Sequence, residues 1–166
     1  MNNKLLRRFI TFVTIVSTAI FSSTVCFAVE DNIYTEVSNA VETMVEADNG
    51  TALPQGDAIT RANLGGAIAT VTTGSLSSSF TVPANLSGSL VKVAIVIRTY
   101  DSSANPNATF ALTIKSGDTP IRTVYPIVNE NTFVIGNLAD GTYNFSLSPQ
   151  SNVSGNYVVG IQFYTA

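Results

Sequence analysis

The segment from Leu90 to Tyr100, LVKVAIVIRTY, constrains the fold of this chain more than any other part of the sequence. Its alternate positions form an apolar set that would share one face of a β-strand: Val91, Val93, Ile95 and Ile97. Leu90, Ala94 and Val96 make the opposite face apolar as well, and neither Gly nor Pro interrupts the segment. Apolar residues on both faces are typical of a strand that is covered on both sides. We therefore predict a central strand around which the later part of the chain pairs.

Residues 1–28 have the three parts of a secretory signal peptide. A basic start at residues 4–8 precedes the uncharged segment 9–21, and the small residues Cys26 and Ala28 occupy the minus-three and minus-one positions. The uncharged segment is interrupted by Thr and Ser and is shorter than the roughly 20 apolar residues of a membrane span. We predict cleavage after Ala28 and secretion, or release into the periplasm if the cell has an outer membrane. A lipoprotein signal at Cys26 is an alternative, although the bulky Val25 precedes this cysteine.

Removal of this leader would leave five basic residues against all eleven acidic ones, so the net charge would change from −3 to −6. A chain this acidic has no basic patch to neutralise phosphates, and we expect no nucleic-acid partner. The single cysteine, Cys26, would leave with the leader, which predicts a mature protein without disulfides. We also expect no membrane span after cleavage, because the sequence carries no hydrophobic span near its C-terminus.

Residues 29–64 are predicted to form an acidic N-terminal helix and a linker. Apolar residues recur at spacings of three and four, which places them on one side of a helix: Ile33, Val37, Ala40, Val41, Met44 and Val45. We expect this helix to run from about Asn32 to Ala47 and to end at residues 48–50. The favoured interpretation is a helix packed on the edge of the following domain or a loosely held lead segment, and a helix that binds a partner is the alternative.

Residues 65–166 consist of short alternating segments separated by turn residues, a pattern typical of a β-sandwich or barrel. We predict an all-β domain, a single antiparallel β-sandwich of about eight strands that is jelly-roll or immunoglobulin-like, preceded by the short helix. The segment from Leu138 to Tyr143 resembles the turn before a late strand in many secreted domains of these two classes. This resemblance implies that Tyr143 points into the core.

Residue composition restricts the chemistry of the chain, because histidine is absent and the single cysteine lies in the predicted leader. Triads and zinc sites that use His or Cys are therefore excluded from the mature protein. The acids of the sandwich region all fall in predicted turns, where turn chemistry explains them: Asp101, Asp118, Glu130 and Asp140. Lys92 and a serine between Ser75 and Ser79 could in principle form a base and nucleophile. We predict that the protein is not an enzyme and has no organic cofactor.

Two groups of residues are candidate binding sites. Asp101, Ser103, Asn105 and Asn107 place oxygen side chains at alternate positions, as calcium loops do. The sixth position of this loop is a proline rather than a glycine, so weak Ca²⁺ binding and a plain polar turn both remain open. Tyr100 and Tyr125 are candidates for stacking on a sugar ring, or they are ordinary strand residues.

The leading hypothesis is a secreted, non-catalytic β-sandwich protein that acts through surface contacts with a cell surface, a matrix, a protein or a glycan. A stand-alone carbohydrate-binding module is the first alternative. A self-assembling surface or fibre subunit is the second, in which the Tyr157–Phe163 strand of one chain completes the sheet of a neighbour.

Overall fold

The computed structural model describes residues 27–48, 62–150 and 152–165. The predicted leader up to residue 26, with the lipoprotein alternative at Cys26, and the predicted linker from residue 49 to residue 61 lie outside the described residues. No helix of the described ranges is long and apolar enough to cross a membrane.

One helix and eight strands make up the described part of the chain. The helix α1 runs from Phe27 to Ala47, so it begins five residues earlier than the periodicity predicted. The strands are β1 (Asn63–Val71), β2 (Leu76–Val82), β3 (Leu90–Arg98), β4 (Phe110–Ser116), β5 (Thr119–Ile127), β6 (Glu130–Asn137), β7 (Gly141–Pro149) and β8 (Tyr157–Thr165). A single 3-10 turn, Ala84–Leu86, lies between β2 and β3.

The strands form two packed antiparallel sheets of four strands each. The first sheet has the order β1-β8-β3-β6, and the second sheet has the order β2-β7-β4-β5. This interleaving of early and late strands is the jelly-roll arrangement, in which most connections cross from one sheet to the other. The predicted antiparallel β-sandwich of eight strands is thereby confirmed.

The main core fills the space between the two sheets. Ile95 of β3 is completely buried there, as are Phe110 and Leu112 of β4. The rings of Phe80 and Phe163 stack across the sheets with centroids 4.0 Å apart. Tyr143 is buried as the turn resemblance implied, and its hydroxyl donates to the carbonyl oxygen of Ala139 at 2.9 Å. Such a bond lets a phenol enter an apolar core with its polar end satisfied.

Strand β3 is covered on both sides, as its sequence predicted. Its second apolar face, with Ala94 and Val96, packs against α1 rather than against the second sheet. The helix contributes its apolar stripe to this contact, including the buried residues Ile33, Val37 and Val41. The prediction that the helix packs on the edge of the sandwich is therefore wrong, because α1 lies on the outer face of the first sheet. The inner strands β3 and β8 are apolar on that face and need a cover.

Ion pairs join the helix region to the first sheet at both ends of the contact. Lys92 Nζ donates to Asp48 Oδ2 at 2.9 Å, and Arg98 Nε lies 3.5 Å from Glu36 Oε1. Arg98 also pairs with Glu130 at the start of β6. Partly exposed pairs of this kind contribute about 0–1 kcal/mol each, so the apolar contact supplies most of the docking free energy.

The Tyr157–Phe163 segment is an inner strand. It belongs to β8, which pairs with β1 on one side and β3 on the other, and every residue of β8 is buried. Both of its backbone edges are thus hydrogen-bonded within the chain. The prediction that this strand completes the sheet of a neighbouring chain is wrong, because it has no free edge to offer.

Candidate functional site

The outer face of the second sheet is not covered by α1, whose contacts within the described residues are with β1, β3 and β8 of the first sheet. We call it the open face and define it as the outward-pointing residues of the second sheet together with the preceding Ser75. These are Ser75, Ser77, Ser79, Thr81, Ala111, Thr113, Lys115, Ile121, Thr123, Tyr125, Thr142, Asn144, Ser146 and Ser148.

Alternation along each strand produces this polar surface. In β2, Phe80 and Val82 are buried in the core, whereas Ser79 and Thr81 are exposed. In β7, alternate aromatic and aliphatic residues are buried and hydroxyl and amide side chains fall between them. Successive side chains of a strand point to opposite faces, so the small polar residues of both strands reach the same outer surface.

Strand pairing places these polar residues opposite one another in rows across the sheet. Two rows cross the middle of the open face, and we call them the central rows: Ser79–Asn144–Lys115 and Ser77–Ser146–Thr113. Directly opposed residues on one face of an antiparallel pair have Cβ atoms roughly 5 Å apart. Each central row therefore spans three adjacent strands.

In the rows on either side of the central rows, the opposed hydroxyl groups form hydrogen bonds with each other. Thr81 and Thr142 share a hydroxyl hydrogen bond of 3.2 Å, and Ser75 and Ser148 share one of 2.8 Å. Within the described residues, no side-chain hydrogen bond engages Ser77, Ser79, Asn144, Ser146 or Thr113 of the central rows. Their donors and acceptors face water and remain available to a ligand.

The central rows form the floor of a shallow depression of about 490 Å³. It is lined by Ser77, Ser78, Ser79, Thr113, Lys115, Gly117, Asp118, Asn144, Phe145 and Ser146. Gly117 and Asp118 are the two residues that join β4 to β5, and Gly117 takes the left-handed conformation with φ of 58° that such a tight turn requires. Lys115 and Asp118 bring one positive and one negative charge to the depression, and neither makes an ion pair with another described residue.

Tyr125 places an exposed aromatic ring at the margin of the open face. It lies on the edge strand β5, and 57% of its surface is exposed, whereas the adjacent Val124 points into the core. Thr123 is opposite Thr113 of the central rows, and Tyr125 is two residues farther along β5, about 7 Å away. The ring is therefore on the same side of the sheet as the depression but outside its lining, beyond Thr113 on the side away from the β4–β5 turn.

The second predicted stacking residue, Tyr100, lies elsewhere. It follows β3 and packs against the apolar cluster beneath α1, on the opposite side of the molecule from the open face. The structure thus separates the two tyrosines, and of the two Tyr125 is the one on the same side of the second sheet as the polar depression.

The four residues of the predicted calcium loop lie together between β3 and β4, and the side chains of Asp101, Ser103 and Asn105 form hydrogen bonds within the turn. Asp101 Oδ1 accepts from the backbone amide of Ser103 at 2.9 Å and from its hydroxyl at 2.6 Å. Asn105 Oδ1 accepts from the amide of Asn107 at 2.9 Å. To bind a cation, these oxygens would have to give up the hydrogen bonds that they accept here. Weak calcium binding at this loop stays a prediction.

The same loop is bonded to the loop between β7 and β8. Asp101 Oδ2 accepts from the amide of Asn156 at 3.2 Å, and Asn105 Nδ2 donates to the carbonyl oxygen of Asn152 at 2.9 Å. Hydrogen bonds from the Ser103 side chain, then from the Ser103 amide, lower the pKa of the Asp101 carboxyl below its ordinary value, against a smaller effect of burial. Asp101 therefore acts as a charged acceptor that holds two loops together.

Lys92 and the serines of β2 do not form a base and nucleophile pair. Lys92 lies on the helix side of the first sheet and pairs with Asp48, whereas Ser77 and Ser79 point outward from the second sheet. The two sheets and the main core separate them, so the Ser–Lys arrangement considered from sequence is wrong.

The residues of the central rows were missed as a site by the sequence analysis. Their signal was present as alternate Ser, Thr and Asn residues in three separate strands, a pattern equally typical of an ordinary solvent face. Only the strand order β2-β7-β4 brings them side by side.

Comparisons with known proteins give little guidance. No protein-family model matches this chain, and no curated protein matches it. Among solved structures, the chain is similar to the C-terminal domain of A223, a structural protein from Sulfolobus turreted icosahedral virus, with 17% identity and a TM-score of 0.35. The similarity covers 64% of this chain and 98% of that domain. We assign neither a family nor a function from it.

Proposed function

We propose that this chain is an exported, non-catalytic binding protein that contacts its ligand through the open face. The observation that carries the proposal is the difference between the outer faces of the two sheets. The apolar outer face of the first sheet is covered by α1, with Ala94, Val96 and Val158 completely buried. The open face instead presents a depression whose hydroxyl and amide groups make no side-chain hydrogen bonds within the described residues.

Residue chemistry supports the non-catalytic part of the proposal. Histidine, the most frequent general acid or base of enzymes, is absent from the sequence. Among the described residues that line the depression, Asp118 is the single carboxylate, whereas hydrolysis by carboxylates generally uses a pair. Binding by hydrogen bonds requires none of these groups.

The leader pattern of residues 1–28 supports export. Expression of the full chain in a secreting host tests this part. We expect the released protein to begin at Val29, as determined by N-terminal sequencing and intact mass. Retention of the full chain inside the cell would contradict export and leave the binding proposal to its own test.

The binding proposal is tested with the purified protein and a panel of immobilised probes that includes cellulose, chitin, starch, peptidoglycan, gelatin and fibronectin. Ser79→Arg and Ser146→Arg each place a long charged side chain in the depression. Asn39→Arg is the matched control, because Asn39 is exposed on α1 and the substitution changes the net charge equally.

We expect the unaltered protein and Asn39→Arg to bind at least one probe equally well, and both open-face variants to lose that binding. Two results would overturn the proposal: binding to none of the probes, or binding by the open-face variants at the level of the unaltered protein. Thermal unfolding of all four proteins confirms that the variants are folded.

A further inference from the structure

The depression on the open face is lined with groups that can both donate and accept hydrogen bonds. Ser77, Ser79, Ser146 and Thr113 carry hydroxyls, and Asn144 carries an amide with two donors and one acceptor. Lys115 adds a donor and Asp118 adds an acceptor at one end. A ligand that satisfies this lining must itself present many closely spaced groups able to donate and accept.

The charges of the depression favour a ligand without net charge. Lys115 and Asp118 contribute opposite charges, so the site as a whole selects neither an anion nor a cation. A phosphate-rich or sulfate-rich ligand would be attracted by Lys115 but repelled by Asp118. A cationic ligand would be attracted by Asp118 but repelled by Lys115.

Apolar contact area is scarce at the depression itself. Phe145 is the one large apolar side chain among the described lining residues, and it is buried in the core beneath the strand. Protein interfaces generally use a buried centre with aromatic or aliphatic anchors, surrounded by a polar rim. The open face has the reverse arrangement, with polar groups in the centre and Ile121 and Tyr125 at the edge strand.

We propose that the open face binds a neutral oligosaccharide, with one sugar ring stacked on Tyr125 and the next ring hydrogen-bonded by the central rows. This inference rests on the proposed binding function and names its ligand class. A sugar has closely spaced hydroxyls that match the lining and an apolar ring face that suits an aromatic side chain. Tyr125 is the diagonal neighbour of Thr113 across the β4–β5 pair, about 7–8 Å away, so a ligand in contact with both the ring and the central rows must extend between them.

The volume of the depression agrees with this ligand class. At about 490 Å³ it falls within the range of roughly 300–1,000 Å³ that is typical of small-molecule sites. Its open shape suits a chain that enters and leaves across the sheet, so we expect recognition of internal or terminal units of an oligosaccharide rather than a free monosaccharide.

The test uses titration calorimetry and an array of neutral oligosaccharides made of glucose, mannose, galactose, xylose or N-acetylglucosamine units, alongside acidic polysaccharides, gelatin and fibronectin. Tyr125→Ala removes the stacking ring, and Tyr125→Phe keeps it. Asn144→Ala removes the central amide. Val134→Ala removes an exposed apolar side chain from β6 of the first sheet, outside the open face, and serves as the control for nonspecific adhesion.

We expect at least one neutral oligosaccharide to bind, and Tyr125→Ala and Asn144→Ala each to weaken its affinity by about tenfold or more, because each removes one of the two proposed kinds of contact. Tyr125→Phe and Val134→Ala should bind within about threefold of the unaltered protein. Binding confined to gelatin, fibronectin or acidic polysaccharides would overturn this inference while the proposed binding function stands. Sugar binding that Tyr125→Ala leaves unchanged would overturn it as well, and binding to no probe would overturn both.

Discussion

Val37 of α1 rests on Gly160 of β8 so closely that a Cβ atom at position 160 would lie 2.7 Å from Val37 Cγ1. The same Cβ would lie 2.8 Å from Val41 Cγ2, one helical turn farther along. Gly160 is paired with Val96 of β3 and Ile68 of β1, so it forms a gap in an otherwise apolar surface. The helix approaches the sheet closely because this one position carries no side chain.

Gly160→Ala should therefore destabilise the protein by forcing α1 away from the sheet. Overpacking of this kind costs about 1–3 kcal/mol of unfolding free energy. Gly74→Ala is the control, because a Cβ there meets nothing within 4 Å, and its effect should be within about 0.5 kcal/mol. Urea unfolding measures both values.

A second substitution tests the cause of that destabilisation. Val37→Ala in the Gly160→Ala background removes one of the two clashing methyl groups, so the two changes should cost less together than the sum of their separate costs. Strict additivity of the two unfolding free energies would show that the contact between Val37 and position 160 is not responsible.

Ile95→Ala should be among the most damaging single substitutions in the chain. Ile95 is completely buried at the middle of β3, and truncation would leave a cavity in the main core at a cost of about 2–5 kcal/mol. Ser78→Ala on the edge strand β2 should cost less than about 1 kcal/mol. Denaturant midpoints with unchanged slopes provide the comparison, and equal midpoints for the two variants would contradict the central position of β3.

Acid should loosen the contact between the loop of Asp101 and the loop of Asn156. The pKa of Asp101 is lowered in the folded protein, chiefly by the hydroxyl of Ser103, so the ionised form is favoured by folding. Its contribution is complete above the ordinary aspartate pKa of about 3.9 and is lost as the pH falls through the lower folded pKa. The stability difference between the unaltered protein and Asp101→Asn should accordingly shrink over that range.

NMR titration of the Asp101 carboxyl measures the pKa directly. Ser103→Ala removes the principal hydrogen bond and should move that pKa upward, toward the ordinary value. A titration of Asp101 at or above about 3.9 in the unaltered protein would contradict the role assigned to Ser103.

Calcium binding at residues 101–107 should be no tighter than about 10⁻³ M, the weak limit of extracellular calcium modules. One carboxylate is present in the loop, and its oxygens already accept hydrogen bonds from Ser103 and Asn156. Thermal unfolding with and without Ca²⁺ measures the effect, with Mg²⁺ as the control for ionic strength. A rise in Tm at submillimolar Ca²⁺ that Asp101→Asn abolishes would establish a tighter site than we expect.

The elements of the fold could be predicted because their signals are local. The apolar residues of β3 alternate with a period of two, and those of α1 recur at helical spacing. Both periods can be read from the sequence without knowing which elements pack against each other. The apolar second face of β3 also predicted that another element would cover this face. The sequence did not reveal that this cover is α1, since an apolar stripe does not identify the surface that it meets.

Strand order and the candidate site depended on contacts between distant parts of the chain. Ser79, Thr113 and Asn144 are each ordinary outward residues of their strands, and they become one site because β7 lies between β2 and β4. The order of the first sheet makes β8 an inner strand between β1 and β3, whereas its sequence is equally compatible with an edge strand. The sequence by itself determined which residues are apolar and with what period, and therefore the elements and the sandwich class. The tertiary structure alone decided which faces are covered, because strand neighbours are selected by burial of the whole core and not by the residues of any one strand.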